Sequence, residues 1–129
     1  MNAQVTDCTD EEHINIMVQD VYQGNVRMGW YSDPVTRERK ERNVGELLAL
    51  IHSEVSEALE GHRKNLMDTH LTNRPMIEVE LADVIIRVFD LAGYLNLDLG
   101  GAYIEKLAYN ANRQDHKLEN RVGENGKKF

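Results

Sequence analysis

The chain has 129 residues, 41% of them hydrophobic and 29% charged, and carries a formal net charge of -7. That size suits one compact domain with a real core, and the acidic balance excludes a nucleic-acid polymer as the main partner, because phosphate backbones are gripped by clustered Lys and Arg. One cysteine, Cys8, leaves no intrachain disulfide, which fits a reducing compartment.

Residues 1–12 are polar and acidic, with neither a basic start nor an apolar run, so no signal peptide is expected there. Thr9 with Glu12 three residues later has the form of a capping box. Ile14, Met17, Val18 and Val21 then recur at helical spacing to about Arg27, with Gly29 ending the run. Ser32-Asp33-Pro34 predicts a turn. A second helix is predicted from about Val44 to Lys64, with an earlier start through the charged stretch Arg37 to Arg42 left open. Its apolar positions are Leu47, Leu48, Leu50, Ile51, Val55, Ala58 and Leu59.

Asn65 to Asn73 is a polar connection. Asn73 is the expected cap of a third helix, with Pro75 one residue inside it. That helix carries Leu81, Val84, Ile85, Val88, Phe89, Leu91, Ala92 and Leu95. The apolar run from Val84 to Leu95 is broken by Arg87 and Asp90 and is too short to cross a membrane. Gly100-Gly101 marks a break before a fourth helix over Ala102 to about His116, and the tail from Glu119 is expected to fray. The expectation is an all-α, four-helix, bundle-like single domain spanning residues 1–129, with its core at about 10–116 and a flexible C-terminal tail, in a cytoplasmic protein.

The third helix is apolar around most of its circumference, and a four-helix unit of this size struggles to cover it alone. A second copy is the simplest cover, so a homodimer or homotetramer is expected.

Two acidic pairs carry the chemistry: Glu54-x-x-Glu57 on the second helix and Glu80-x-x-Asp83 on the third. Residues three apart on a helix lie roughly 60° apart around its axis, so each pair shares a face. A lone Glu-x-x-Glu is ordinary on an exposed helix. Two pairs on consecutive helices, each beside an apolar stripe, can oppose each other if the helices pack antiparallel. About four negative charges would then converge, which a hard, oxygen-seeking cation such as Mg²⁺, or Mn²⁺, makes tolerable. Di-iron bundles use Glu-x-x-His, and no Glu here is followed three residues later by His; zinc is disfavoured by the same want of His and Cys clusters.

Lys106, Asn110 and Arg113 fall at i, i+4 and i+7 of the fourth helix, a face suited to phosphate oxygens or simply to solvent. Base contacts are less specified. Trp30, the only tryptophan, either stacks on a base or anchors a core or an interface. Asn15 and Gln19 share a face of the first helix and offer amides.

In this order, Glu54-x-x-Glu57, Glu80-x-x-Asp83 and Lys106-x-x-x-Asn110-x-x-Arg113 resemble the all-α nucleoside triphosphate pyrophosphohydrolases, the superfamily of MazG, the dimeric dUTPases and the dCTP pyrophosphatases. The likeness covers about Val44 to Arg113. It implies Mg²⁺ held by Glu54, Glu57, Glu80 and Asp83, with phosphate contacts from Lys106 and Arg113 and Asn110 near the sugar or phosphates. It also implies hydrolysis of an NTP or dNTP to a monophosphate and pyrophosphate, for housecleaning or control of nucleotide pools, at a site usually completed between subunits. The chain departs from the family at Arg87, where relatives often carry an aromatic one turn after the last metal-binding Asp. A triphosphate brings about four negative charges, so an acidic protein binds it through bridging cations. Glu54 or Glu57 would accept a proton from the attacking water. The competing reading is a non-catalytic all-α interaction module, its acidic pairs facing solvent or partner lysines.

Overall fold

The computed structural model describes residues 8–129; most of the acidic start lies outside the described residues. The all-α class stands, with no strand among the described residues. Helices α1 (Asp10–Arg27), α2 (Val44–Arg63), α3 (Met76–Tyr94) and α4 (Leu99–Ala111) are followed by a 3₁₀ turn at Gln114–His116 and the four-residue α5 (Leu118–Arg121). Contacts divide the chain into two compact units. One is Ile16–Leu97; the other joins the described residues up to Asn15 with Asp98–Phe129.

The unit Ile16–Leu97 is built on a hairpin of α2 and α3. Asn43 opens α2 by accepting a hydrogen bond from the Glu46 N–H at 3.0 Å. The charged stretch before it is not helical: Arg37 has φ of 66°, a left-handed conformation that ends any continuous helix there. Asn65, also left-handed at φ 54°, turns the chain out of α2. The connection is clamped by Met76 N–H to the Leu66 carbonyl and Asp68 N–H to the Arg74 carbonyl, both at 2.9 Å. This clamp moves the start of α3. Pro75, not Asn73, is its N-cap, and no side chain caps it.

The two helices run antiparallel. A Cβ built on Gly61, near the end of α2, would meet Met76 at the start of α3, at 2.8 Å. At mid-length Arg87 bonds Glu54, and at the far end the Tyr94 hydroxyl accepts from the Arg42 N–H at 2.9 Å. Leu47 and Ala58 of α2 and Leu91 and Ala92 of α3 are buried, as is Val18 of α1.

The segment between α1 and α2 is held by aromatic packing. Tyr31 is fully buried, edge-on to Tyr22 of α1 and stacked on Tyr94 of α3, both at 5.1 Å between centroids. The Arg39 guanidinium lies 5.0 Å from the Tyr31 ring centre and donates to the Tyr22 hydroxyl at 2.8 Å. Asp33 makes the predicted turn, its Oδ1 accepting from Val35 and Thr36 N–H.

In the other unit α4 begins three residues earlier than its glycines imply. Asp98 Oδ1 accepts from the Gly101 N–H at 2.9 Å, so Gly100 and Gly101 sit in the first turn. A Cβ on Gly100 would strike the Glu11 carbonyl oxygen, so the close approach demands glycine. The helix ends at Ala111, short of the expected His116. The 3₁₀ turn at Gln114–His116 follows, and α5 (Leu118–Arg121) covers the start of the tail expected to fray from Glu119.

Gly93 lies directly against Tyr22, where any Cβ would collide with the Tyr22 Cβ. Gly93→Ala should therefore destabilise the protein by about 1–3 kcal/mol, as overpacking does, despite the better helix propensity of alanine. Urea denaturation of the variant checks this.

Candidate metal centre

Antiparallel packing brings the two acidic segments to the same level of the hairpin. Carboxylate oxygens of Glu54, Glu80 and Asp83 all lie within 4.8 Å of one another, each residue half-buried. Glu57 is exposed and stands outside this group of three, though its charge still reaches Glu80. So three of the four predicted ligands converge and the fourth flanks them.

Three carboxylates this close cannot all be ionised without compensation, and the compensation is visible. Burial, then a hydrogen bond to Glu54, then the charges of Glu54, Asp83 and Glu57, push the Glu80 carboxyl up to about 7. Burial and the charge of Glu54 raise Asp83 as well, against the opposing pull of Arg87. Burial works to raise Glu54, but hydrogen bonds with Glu80 and Arg87 outweigh it and hold Glu54 below its ordinary value. Glu80 is thus the group that keeps a proton near neutrality. Arg87 supplies the other counter-charge, its Nε donating to Glu54 Oε1 at 2.8 Å.

Two of the trio, Glu54 and Asp83, line a cavity of about 450 Å³ together with Arg87, Asp90, Arg42 and Trp30. This volume falls within the range of small-molecule sites. Trp30 is 61% exposed beside it, so it is neither a core anchor nor sequestered. Asp90 is only 9% exposed, and its two oxygens accept from Asn25 Nδ2 at 2.9 Å and from the Tyr31 hydroxyl at 2.8 Å. Burial and that bond to Asp90 raise the Tyr31 phenol far above its ordinary value, so it stays a donor.

Arg87, Asp90, Asn25 and Arg42 were not among the expected site residues. The available signal was charge inside an apolar run: Arg87 and Asp90 interrupt the most hydrophobic stretch of the chain, where an ionised group persists only with a partner.

The remaining expected residues divide between the units. Gln19 lies in the hairpin's unit and is exposed. Asn15, in the other unit, has its amide occupied: Nδ2 donates to Asp98 at 2.8 Å and Oδ1 accepts from Gly100 N–H at 2.9 Å, so it braces the start of α4. Lys106 and Asn110 are on α4, but Arg113 lies beyond its end, so the three do not share a continuous helix face. Lys106 and Arg113 nevertheless flank one ring, at 4.7 and 5.8 Å from the centre of Tyr109. Arg113 is gripped by Asp115 through two hydrogen bonds of 2.9 and 2.6 Å, which any phosphate has to displace. The Asn110 side-chain oxygen is buried without a hydrogen-bond partner among the described residues.

The donor set is hard oxygen throughout, fitting a cation of the Mg²⁺ or Mn²⁺ type. No protein-family model, curated protein or solved structure matches the chain.

The raised Glu80 carboxyl predicts a pH dependence. Between its ordinary value of 4.5 and about 7 the folded protein binds a proton that the unfolded chain has released. The associated stability is full below about 4.5 and is lost as pH rises through 7. Glu54, shifted the other way, acts only at lower pH. In EDTA, thermal melts should show Tm falling from pH 5 to pH 8, and Glu80→Gln should flatten that slope. An unchanged slope in the variant places the proton elsewhere.

Proposed function

We propose that the chain is a Mg²⁺-dependent nucleoside triphosphate pyrophosphohydrolase that releases a nucleoside monophosphate and pyrophosphate. The observation that carries this reading is the convergence of Glu54, Glu80 and Asp83 from two helices, with Glu54 and Asp83 lining a cavity of about 450 Å³. A resemblance of motif order to the all-α pyrophosphohydrolases supplies the reaction class; the chemistry of the donor set agrees with it. Glu54, Glu80 and Asp83 would hold the metal, with the exposed Glu57 beside them. When bound, Mg²⁺ neutralises phosphate oxygens and acidifies an attacking water.

The chain's own residues account for the rest. Glu57, exposed and one turn from Glu54, is the better placed proton acceptor of the two, since Glu54 already bonds Arg87. Trp30 at the cavity offers an exposed indole for stacking a base. Lys106 and Arg113, to which the resemblance assigns phosphate contacts, are cationic and flank Tyr109 in their own unit. The role would be housecleaning or control of nucleotide pools. No helix among the described residues is long and apolar enough to cross a membrane.

With Mg²⁺, the protein should release pyrophosphate from at least one member of an NTP and dNTP panel. Glu54→Gln and Asp83→Asn should each lower the rate by about 100-fold or more, the range for charged groups acting at the reacting centre, with helical circular dichroism unchanged. Release of orthophosphate alone, or full activity in both variants, would refute the assignment.

A second element concerns assembly. Val55 and Leu59 on α2 and Leu81 and Ile85 on α3, each pair at i, i+4, are 48–54% exposed. Such a set is larger than scattered surface apolar residues require, and it supports the homo-oligomer. It also gives the interaction-module reading its one favourable observation. Ile85→Glu should shift the mass measured by light scattering to that of one chain. An unchanged mass would remove this surface from the interface.

A further inference from the structure

We propose that Arg87 is an internal cation that occupies the acidic centre before metal arrives, and that metal loading releases its guanidinium to bind the phosphate chain of the substrate. The inference rests on the pyrophosphohydrolase reading of this site and concerns the position where the chain departs from the family it resembles.

The argument starts from geometry. Asp83 and Arg87 are one turn apart on α3, so both side chains leave the same face. Arg87 crosses to α2 and donates Nε to Glu54 Oε1 at 2.8 Å, contacting the very oxygen-bearing group that a metal would claim. It is also part of the wall of the cavity that holds Glu54 and Asp83. The Glu54 side chain is 14% exposed and that of Arg87 39%, so one partner is fixed in the protein while the other has room to leave.

Charge then dictates the exchange. With no divalent ion, Arg87 offsets part of the repulsion among three carboxylates. A divalent ion at those carboxylates repels the guanidinium at short range and takes the Glu54 lone pairs that held it. The freed group still lines the cavity, and it carries five N–H donors in a planar fork suited to phosphate oxygens. A bound triphosphate is the anion that restores its partner. Arg87 therefore opposes the metal in the empty protein and favours the metal together with the phosphate chain. By thermodynamic reciprocity the two ligands strengthen each other through it.

Two probes separate these effects: Mn²⁺ alone, followed by calorimetry or by electron paramagnetic resonance, and inorganic tripolyphosphate at saturating Mg²⁺. Arg87→Gln should bind Mn²⁺ about tenfold more tightly, because a repelling charge at contact range has gone, and should bind Mg²⁺–tripolyphosphate about tenfold more weakly, the loss of a charged hydrogen-bond pair. Arg87→Lys keeps the charge without the fork and should restore the Mn²⁺ affinity of the parent while recovering only part of the tripolyphosphate binding. Tripolyphosphate carries no base, so the result does not depend on nucleotide preference. Mn²⁺ affinity that is unchanged or weaker in a folded Arg87→Gln protein, or unchanged tripolyphosphate affinity, overturns the proposal while leaving the metal centre standing. Failure of the parent protein to bind Mn²⁺ at all removes the metal centre and the proposal with it.

Discussion

Carboxylates repel, and two helices that place Glu54, Glu80 and Asp83 with their oxygens inside 4.8 Å must be held together by something stronger than that repulsion. The hairpin supplies it at both ends. At one end Gly61 has no side chain to keep Met76 away, and the short connection is locked by paired backbone hydrogen bonds. At the other, Tyr94 ties α3 to the segment leading into α2 by accepting from the Arg42 N–H and donating to Glu41 at 2.6 Å. The acidic level lies between these fixed ends and cannot open by simple splaying. What remains is local compensation, through the proton on Glu80 and the guanidinium of Arg87.

The same logic applies to the segment after α1, where an exposed Trp30 follows from a buried neighbour. Tyr31 is enclosed between Tyr22 and Tyr94, and its hydroxyl is committed to Asp90. Backbone geometry sends adjacent side chains in different directions, so burying Tyr31 turns Trp30 outward beside the cavity. Asp90 is the hinge of this arrangement: a carboxylate inside an apolar helix is tolerable because two donors from two other segments satisfy it. The cost of leaving it unsatisfied specifies where α1, the segment and α3 meet.

Local signals carried much of this into the sequence. The periods of α1, α2 and α3 are evident because each apolar stripe is long, and the Thr9 and Asp33 side chains act within three residues of themselves. The acidic triplet was readable for the same reason, as spacing within helices. The misplaced boundaries depend on nonlocal partners. Asn73 looks like a cap until the Leu66–Met76 clamp assigns the start of α3 to Pro75. Gly100-Gly101 looks like a break until Asp98 caps the helix they open and Glu11 presses against Gly100. Asn15 offers a free amide on paper, yet two groups 83 and 85 residues away consume it. Arg87 and Asp90 were visible as interruptions of an apolar run, but their partners Glu54, Asn25 and Tyr31 lie 33 to 65 residues off.

The exclusion of Glu57 from the trio follows from helix geometry. Glu54 and Glu57 point roughly 60° apart around α2, and so do Glu80 and Asp83 around α3. Here α2 offers Glu54 and α3 brings both of its acids to bear on it, which leaves Glu57 turned toward solvent. Under the proposed hydrolysis this asymmetry would have a chemical use, because such a centre needs groups to fix the cation and a separate base that is not spent on fixing it. Glu54, Glu80 and Asp83 are confined enough to do the first. Glu57, whose charge reaches Glu80 and whose side chain is exposed, would on that reading do the second.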